Sequence, residues 1–504
     1  MKYFIKNNWE KISLGFILLL GLILRLIPAI RIEFWLDEAL TFSFRHIPFF
    51  KLFDYEPVHP PLFYFIIGAW SYINTSPIFL RIVPISFSLL STILVFMIGK
   101  LIKKGSFFTL VSSFLFAVAF FQIDFSYQLR MYSMVLFFIL ASSYSLLKIA
   151  LGKNKWLWVF VVLNFLGYLT DYCFLWYFIS LGFSTIFMIF FKKIKGQINL
   201  NKIYLGLLLS SLLMIPEAII MFINLKRIFV YHIGWVMKPD LNELLRTVFY
   251  LFSFDSEYVK DWRQYLFSLL VFLTLFSCLI LLKRSYFKKK AIGFLFWTLV
   301  LFIFFVPLII SFVLSNILMA SIFLDRQLIV VSLMPVFGLG ALISFLIQKK
   351  KIIFKVFATA LLMFVTYLSI KCLFSRHIGF STTTRWDGPS WKNSATIMSG
   401  IINYEKDKIM FAPPWLKYNF DYYFYEYDKG NKTSKFNYSY LEAESDSVLS
   451  KKVSLIGNST YKRFFWLVNP EIDWFKNNIQ DNKILDCIKK PLGGKNVTIF
   501  KCYY

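Results

Sequence analysis

Long apolar runs recur along most of this chain and constrain its fold more strongly than any other feature. A helix of about 20 apolar residues spans the hydrocarbon core of a bilayer. Hydrophobic residues make up 58% of the chain and charged residues only 16%, whereas soluble domains are closer to half apolar and a quarter charged. We therefore predict a polytopic all-α membrane protein with about eleven transmembrane helices, near residues 12–32, 78–101, 106–123, 129–150, 156–170, 172–191, 203–223, 264–282, 291–314, 327–347 and 352–372.

The charges between these runs predict the orientation. Alternate connections, counted from the N-terminus, hold 22 Lys and Arg and a single acid, Glu10; they are 1–11, 100–104, 148–155, 192–202, 283–290 and 347–355. The opposite loop, 33–58, holds two bases and five acids. Because short basic loops stay in the cytoplasm, we predict a plasma (inner) membrane protein with a cytoplasmic N-terminus and an extracytoplasmic C-terminus. Much of the net charge of +27 thus reflects topology, and nucleic acid is not a predicted partner.

The composition changes after residue 372 and predicts two domains, a transmembrane domain over 1–372 and a small extracytoplasmic α/β domain over 373–504. The second part alternates strand-like runs with Gly, Asn and Asp turns. Cys487 and Cys502 fall in this tail and are candidates for a disulfide there. The predicted tail elements are strands near 408–412, 464–468 and 497–500 and helices near 415–425 and 473–479.

The first outer loop, 33–77, has an unusual pattern for a connection. Residues 39–53 have apolar positions in helical register, interrupted by Pro48. After His59-Pro60-Pro61, residues 62–72 are apolar but too short to span a bilayer. Both segments predict amphipathic helices lying in the outer membrane interface.

Two adjacent acids, Asp37 and Glu38, follow the first apolar run directly. Carboxylates at a membrane boundary carry a large desolvation cost, which favours a functional role. One carboxylate would accept a proton from an attacking hydroxyl. The other would orient the first carboxylate or raise its pKa. The alternative is that they are solvated loop acids that cap a helix beginning at Ala39. Capping needs only one acid, and Trp35 and other apolar residues flank the pair. We therefore favour a catalytic role for the two acids.

Four arginines lie within or at the outer end of the apolar runs, away from the basic loops: Arg25, Arg81, Arg130 and Arg326. A phosphate is one suitable partner, because a guanidinium binds it with two parallel hydrogen bonds. The alternatives are snorkelling to lipid headgroups or an ion pair, such as Asp325 with Arg326 or Asp124 with Arg130. We favour the phosphate role for Arg130 and Arg326. For Arg25 and Arg81 the alternative is at least as good.

Four further residues are weaker candidates. His59 is either a polar contact in the floor of a pocket or part of a helix entry started by proline. Asp124 and Asp171 end apolar runs on the outer side, where a helix-end role is favoured over a second acid or a metal ligand. A divalent metal thus stays an open alternative, and no metal ligands are assigned. Glu217 is an acid within a run, following Pro216.

Several short segments appear in a consistent order, and together they resemble the bacterial family 39 glycosyltransferases. These are integral-membrane enzymes of the C-type glycosyltransferase fold, related to protein O-mannosyltransferases and aminoarabinose transferases. The resemblance covers roughly residues 12–350. The segments that carry it are Trp35–Ala39, His59–Leu62, Leu80–Pro84, Ser126–Tyr132 and Asp325–Leu328.

The resemblance implies a sugar transfer from a polyprenyl-phosphate donor to an acceptor hydroxyl on the outer face, with inversion at the anomeric carbon. It implies that Asp37 is the general base and that Glu38 supports it. It also implies that Arg130 or Arg326 stabilises the departing phosphate. The chain departs from the pattern at Gln327, where many relatives have Tyr, and near Gln128, where they have an acid. The predicted substrate-binding residues are His59, Arg81, Arg130, Tyr132 and Arg326.

The competing hypothesis is a polytopic transporter or flippase of a lipid-linked glycan. That class predicts internal repeats, paired broken helices and charges at the midplane. The sequence shows no internal repeat and concentrates its acids at the outer face. The residues do not distinguish among sugars, or among glycan, lipid and protein acceptors.

Overall fold

The computed structural model describes the backbone of residues 2–55, 58–102, 107–191, 194, 196–228, 236–252, 263–318, 321–374, 407–412, 418, 421–423, 441–442, 463–468, 486–490 and 498–503. The chain divides into two compact units. The first unit contains residues 1–30, 47–66 and 81–379, and the second contains 31–46, 67–80 and 380–504.

The α-helices of the described residues are numbered here in chain order. They are α1 Lys2–Arg31, α2 Leu36–Ser43, α3 Leu52–Tyr55, α4 Leu62–Ser71, α5 Pro77–Ile102, α6 Phe107–Val118, α7 Phe120–Tyr127, α8 Tyr132–Ala150, α9 Trp156–Tyr168, α10 Phe174–Ile189, α11 Leu200–Arg227, α12 Leu241–Leu251, α13 Arg263–Phe287, α14 Ala291–Ile317, α15 Leu333–Ile347 and α16 Ile352–Leu373. Three 3₁₀ segments accompany them, at Phe44–His46, Phe49–Lys51 and Asp325–Ser332.

The membrane part is helical, as predicted. Among the described residues, eight helices are long and apolar enough to cross a membrane, or nine if α6 and α7, bent by 53° at their junction, form one span. The other two predicted spans correspond to α9 and α10, which have 13 and 16 residues. At 1.5 Å per residue these helices are shorter than the roughly 30 Å hydrocarbon core. A total of eleven spans therefore stays a prediction.

Exposure separates central helices from peripheral ones within the first unit. Most of α8 and of the 325–347 segment is buried, whereas most apolar side chains of α11, α13 and α16 are at least partly exposed. In a soluble protein such surfaces would be unstable, but in a bilayer they face lipid. Prolines inside α5, α11 and α14 are tolerated, as is usual for membrane helices.

Glycines allow close approach where central helices cross. A Cβ added at Gly340 in α15 would lie 3.2 Å from the Ser112 Cα in α6, and closer still to its hydroxyl. A Cβ added at Gly338 would lie 2.5 Å from the Thr274 side chain in α13, and one added at Gly99 would lie 3.0 Å from the Thr109 Cα. Small residues of this kind bring helix backbones together in membranes.

Replacing Gly340 by Val should therefore lower the thermal midpoint of the protein in detergent. Overpacking costs about 1–3 kcal/mol, and the Ser112 backbone leaves the new side chain no room. Gly182→Val in α10 is the matched control, because an added Cβ there meets no atom within 4 Å. Equal midpoints for the two variants would show that the α6–α15 crossing is not as close as described.

Three basic connections of the predicted topology meet at one end of the first unit. Ile102, Lys288 and Gln348 follow or end α5, α13 and α15, and all three line one cavity. Glu10 forms an ion pair with Lys100 at 2.8 Å. The predicted orientation of these connections in the membrane stays a prediction.

The second unit contains the polar tail, whose described residues include five strands: β1 Asp407–Ala412, β2 Leu441–Glu442, β3 Arg463–Val468, β4 Asp486–Lys490 and β5 Thr498–Tyr503. They form one mixed sheet in the order β2-β1-β3-β5-β4. β1 is parallel to β2 and β3, and β5 is antiparallel to β3 and β4.

The three predicted strands coincide with β1, β3 and β5. The helix predicted near 473–479 lies outside the described residues, and of 415–425 only Tyr418 and 421–423 are described, as helical. The α/β class of the tail therefore stays a prediction. The register of β4 and β5 places Cys487 opposite Cys502, and the disulfide between them also stays a prediction.

The first outer loop contains helical segments where the sequence predicts them. Its first predicted helix divides into α2, two 3₁₀ segments and α3, and the break includes Pro48. Proline lacks an N–H and disfavours the α conformation in the residue before it, so one continuous helix is excluded. The second predicted helix is α4.

Candidate active site

The two adjacent acids of the second unit occupy the first turn of α2 but have different environments. Trp35 precedes the helix with an extended backbone, at φ −86° and ψ 174°. The Glu38 carboxylate is buried and accepts the Trp35 N–H at 3.2 Å. Asp37 is half-buried. One acid of the pair thus supplies the cap, as in a capping box, while the other is more accessible to solvent.

The helix begins three residues earlier than the predicted start at Ala39. Both carboxylates therefore lie inside the helix rather than before it, at the end where the helix dipole favours negative charge. The Thr41 hydroxyl donates to the Asp37 carbonyl at 2.7 Å and ties the first turn to the second.

Two tyrosines of the tail pack against the start of α2 within the second unit. The Phe34 N–H donates to the Tyr423 hydroxyl, and the Phe34 and Phe42 rings lie 4.4 and 4.8 Å from the Tyr422 ring. The Tyr422 hydroxyl donates to the Thr75 carbonyl at 3.0 Å. The polar tail thus helps fix the backbone around the acids, a role that its sequence did not indicate.

A buried chain of polar side chains joins three loops of the first unit. His59 Nδ1 lies 3.2 Å from an Asp171 carboxylate oxygen, and His59 Nε2 lies 2.9 Å from an Arg130 guanidinium nitrogen. All three side chains are buried. His59 precedes α4, Arg130 lies between α7 and α8, and Asp171 lies between α9 and α10. We call these three residues the polar relay.

The chemistry of the partners fixes the histidine tautomer. Arginine only donates hydrogen bonds, so His59 Nε2 is the acceptor and the proton resides on Nδ1, facing Asp171. The other Asp171 oxygen accepts the Cys173 N–H at 2.8 Å. Burial by itself raises the Asp171 pKa, but His59 and the Cys173 N–H outweigh it and hold the pKa below its usual value. Asp171 thus places a buried negative charge beside the imidazole that contacts Arg130.

Backbone contacts hold the relay in place. The Leu62 N–H donates to the Leu169 carbonyl at 3.1 Å, which joins the start of α4 to the end of α9. The Arg130 N–H donates to the Gln128 carbonyl at 2.7 Å in the tight connection before α8. Tyr132 is buried in the first turn of α8, and its ring centroid lies 5.9 Å from the Arg130 guanidinium carbon.

The four predicted arginines lie in different surroundings. Arg25 is fully buried and donates to Ser88 Oγ and to the carbonyls of Gly21 and Ala117, at 2.8–2.9 Å. Arg81 is fully buried, donates to the Ala29 carbonyl at 2.8 Å and lies 5.7 Å from the Tyr127 ring. The bonds of Arg25, to a hydroxyl and two carbonyls, differ from both the snorkelling and the ion pair considered for it. A substrate contact by Arg81 stays a prediction.

Arg326 is half-buried, and its neighbour Asp325 pairs with a different arginine, Arg246. Asp325 pairs with Arg246 of α12 at 3.0 Å and accepts the Thr247 hydroxyl at 2.7 Å. Arg246 also pairs with Glu243. Asp325 thus pairs with Arg246 rather than with Arg326, and this ion pair anchors α12 to the 3₁₀ segment. Sequence analysis did not identify Arg246.

The remaining acids have hydroxyl partners. Asp124 accepts hydrogen bonds from Tyr250 and Gln128, and Glu217 accepts the Tyr172 hydroxyl at 2.6 Å. In the described part of the chain, no three His, Cys, Asp or Glu side chains come together in a way that fits a metal ion. No residue is therefore assigned to a divalent metal.

Comparison with solved structures identifies the fold as that of the C-type membrane glycosyltransferases. The aminoarabinose transferase ArnT from Cupriavidus metallidurans, bound to undecaprenyl phosphate, matches with a TM-score of 0.58 at 9% identity, over 98% of both chains. Its apo structure gives 0.55 at 10% identity, over the same shares. At such identities the likeness establishes the fold.

The Archaeoglobus fulgidus oligosaccharyltransferase, in complex with Zn and sulfate, matches with a TM-score of 0.54 at 12% identity. The match covers 91% of this chain and 68% of that one. No protein-family model matches the chain, and no curated protein does so significantly. The fold implied by the short segments of the sequence is therefore confirmed, while the roles of individual residues stay predictions.

Proposed function

We propose that this protein is a membrane glycosyltransferase that transfers a sugar from a polyprenyl-phosphate donor to an acceptor hydroxyl on the outer face of the membrane. The observation that carries the proposal is the C-type glycosyltransferase fold, matched over 98% of the chain. ArnT, with undecaprenyl phosphate bound, supports a lipid phosphate as the donor's carrier. The oligosaccharyltransferase tethered to an acceptor peptide supports acceptors beyond lipids.

In the proposed reaction, Asp37 accepts the proton of the acceptor hydroxyl. The hydroxyl oxygen attacks the anomeric carbon, and the bond from that carbon to the phosphate oxygen breaks. Polyprenyl phosphate leaves with the electron pair, and the anomeric configuration inverts. Glu38 acts as a positioning residue, because its hydrogen bond to Trp35 N–H fixes the helix start that carries Asp37.

The leaving phosphate gains negative charge, and we assign its stabilisation to Arg130 and Arg326. Arg130 is held by His59, so its guanidinium is pre-oriented and loses little freedom on binding. Arg326 lies beside Asp325, whose pairing with Arg246 fixes the local backbone. His59, Arg81 and Tyr132 complete the proposed set of substrate-binding residues.

The proposal includes the finer topology that the sequence predicts. The chain would cross the plasma (inner) membrane eleven times, with α9 and α10 as short spans and a cytoplasmic N-terminus. The tail over 373–504 would form an extracytoplasmic α/β domain. Each assignment rests on the basic connections and on the pattern of apolar runs.

The test is incubation of membranes containing the protein with a panel of polyprenyl-phosphate sugars labelled in the sugar. At least one donor should transfer its label to an acceptor and leave free polyprenyl phosphate. A flippase would instead move the intact donor across the bilayer without cleaving it. If the intact donor crosses the bilayer and no donor in the panel is cleaved, the protein is not the proposed enzyme.

A further inference from the structure

The cavity lined by Ile102, Lys288 and Gln348 lies at the basic end of the first unit, among helix ends that the proposed reaction does not use. Its volume is about 420 Å³, which falls in the range of small-molecule sites, roughly 300–1,000 Å³. The end of α5 and the starts of α6 and α14 contribute to it, as do the ends of α13 and α15. The cavity therefore lies among the ends of helices that are candidate membrane spans.

The walls and the rim of this cavity differ in chemistry. Apolar side chains form the walls, among them Leu281, Trp297 and Phe345. The rim carries exposed cations from the α13–α14 turn, which are Arg284, Lys288 and Lys290. A ligand that fits both must combine an anionic head with an apolar body.

The rim cations have no acid close by in the described part of the chain. The structure shows no ion pair or side-chain hydrogen bond from Arg284, Lys288 or Lys290 there. The single acid of the six basic connections, Glu10, is taken by Lys100 at 2.8 Å. Three neighbouring cations without a counter-charge repel one another, and a bound phosphate would relieve that repulsion.

The turn between α13 and α14 keeps a lysine where glycine is preferred. Lys289 has φ 51°, in the left-handed region. The Lys290 N–H donates to the Ser285 carbonyl at 2.8 Å and the Lys289 N–H to the Tyr286 carbonyl at 3.0 Å, which is a Schellman motif with Lys289 at the C′ position. A left-handed non-glycine residue is strained. The turn that brings Lys288 and Lys290 to the cavity is thus sharp and well defined.

We propose that this cavity binds an anionic phospholipid of the cytoplasmic leaflet. Its phosphate would lie against Arg284, Lys288 and Lys290, and its acyl chains would lie along Leu281, Trp297 and Phe345. Basic pockets between membrane helices on the cytoplasmic side recognise anionic headgroups in this way. The apolar walls favour a lipid over a water-soluble anion, which would leave them without contacts.

The test is native mass spectrometry of the purified full-length protein with phosphatidylglycerol or phosphatidylcholine of identical acyl chains. Wild type should retain phosphatidylglycerol preferentially. R284Q/K288Q/K290Q should weaken that retention by on the order of a hundredfold, at about fivefold for each basic residue. K283Q/K350Q/K351Q, which removes three exposed charges at the same end but none lining the cavity, should retain phosphatidylglycerol as wild type does.

A second variant tests the apolar walls without changing charge. Ser344 lines the cavity, and S344F should fill part of it and reduce phosphatidylglycerol retention while the three cations remain. Equal retention of both lipids by wild type would overturn the proposal, as would equal losses in the two triple variants. Displacement of the lipid by an equal concentration of glycerol 3-phosphate would also overturn it, since a soluble phosphate would then suffice. None of these readouts depends on sugar transfer.

Discussion

Replacing Asp37 by Asn is expected to slow sugar transfer by about 10²–10⁴-fold, the usual contribution of a general base. Asn has nearly the same shape and can still accept hydrogen bonds, but it cannot take up the proton of the acceptor hydroxyl. The effect should fall on the catalytic rate rather than on donor binding, because Asp37 acts on the acceptor in the proposed reaction. The measurement is the initial rate of polyprenyl phosphate release by purified variants.

Glu38→Gln is the matched control for this prediction. It removes the neighbouring charge but keeps an amide oxygen that can accept the Trp35 N–H, as glutamine does in other capping boxes. We expect this variant to retain most of the activity and the thermal midpoint of wild type. If Asp37→Asn is folded and fully active, Asp37 is not the base. If Glu38→Gln is the inactive variant instead, the roles assigned to the two acids are reversed.

Replacing Asp171 by Ala should produce the largest loss of stability among the side chains of the polar relay. The substitution removes the buried carboxylate that lies 3.2 Å from His59 Nδ1, on the imidazole that contacts Arg130. Breaking a buried charged network by removing one partner typically costs about 3–5 kcal/mol. The measurement is thermal unfolding in detergent, with size-exclusion profiles to confirm that each variant starts folded.

Asp240→Ala is the control for the loss of an aspartate. Asp240 caps α12 by accepting the Glu243 N–H at 2.7 Å in an exposed position, and losing such a cap costs about 1 kcal/mol. A double-mutant cycle of Asp171→Ala with His59→Ala should show coupling, since the second change removes an interaction already lost. Equal midpoints for Asp171→Ala and Asp240→Ala, or additive effects in the cycle, would contradict the relay.

The membrane helices could be predicted because their signal is local. An apolar run of sufficient length specifies a span by itself, and each of the eleven predicted runs corresponds to a described helix or to the bent pair. Lengths were less predictable at α9 and α10, where apolar residues continue beyond the helix ends. Asp171 and Tyr172 lie in the break between them, and the backbone there turns rather than continuing a helix.

The candidate site was only partly predictable, because its decisive contacts join distant parts of the sequence. Arg25 and Arg130 look alike in the sequence, yet Arg25 donates to backbone carbonyls while Arg130 donates to His59, 71 residues away. No local motif surrounds Asp171, so the sequence by itself favours a helix-end role for it. The difference between Asp37 and Glu38 depends on where α2 begins, and an error of three residues in that start obscures it.

Cleavage of a polyprenyl-phosphate sugar is the activity that defines the proposed enzyme. The most direct measurement uses liposomes that contain only the purified protein, a labelled polyprenyl-phosphate sugar and a mixture of glycan, lipid and peptide acceptors. We predict that wild type releases polyprenyl phosphate and transfers the sugar, and that Asp37→Asn does so at least about a hundredfold more slowly. Equal release by the two proteins would show that Asp37 is not the base, and no release from any donor by folded wild type would show that the protein is not the proposed transferase.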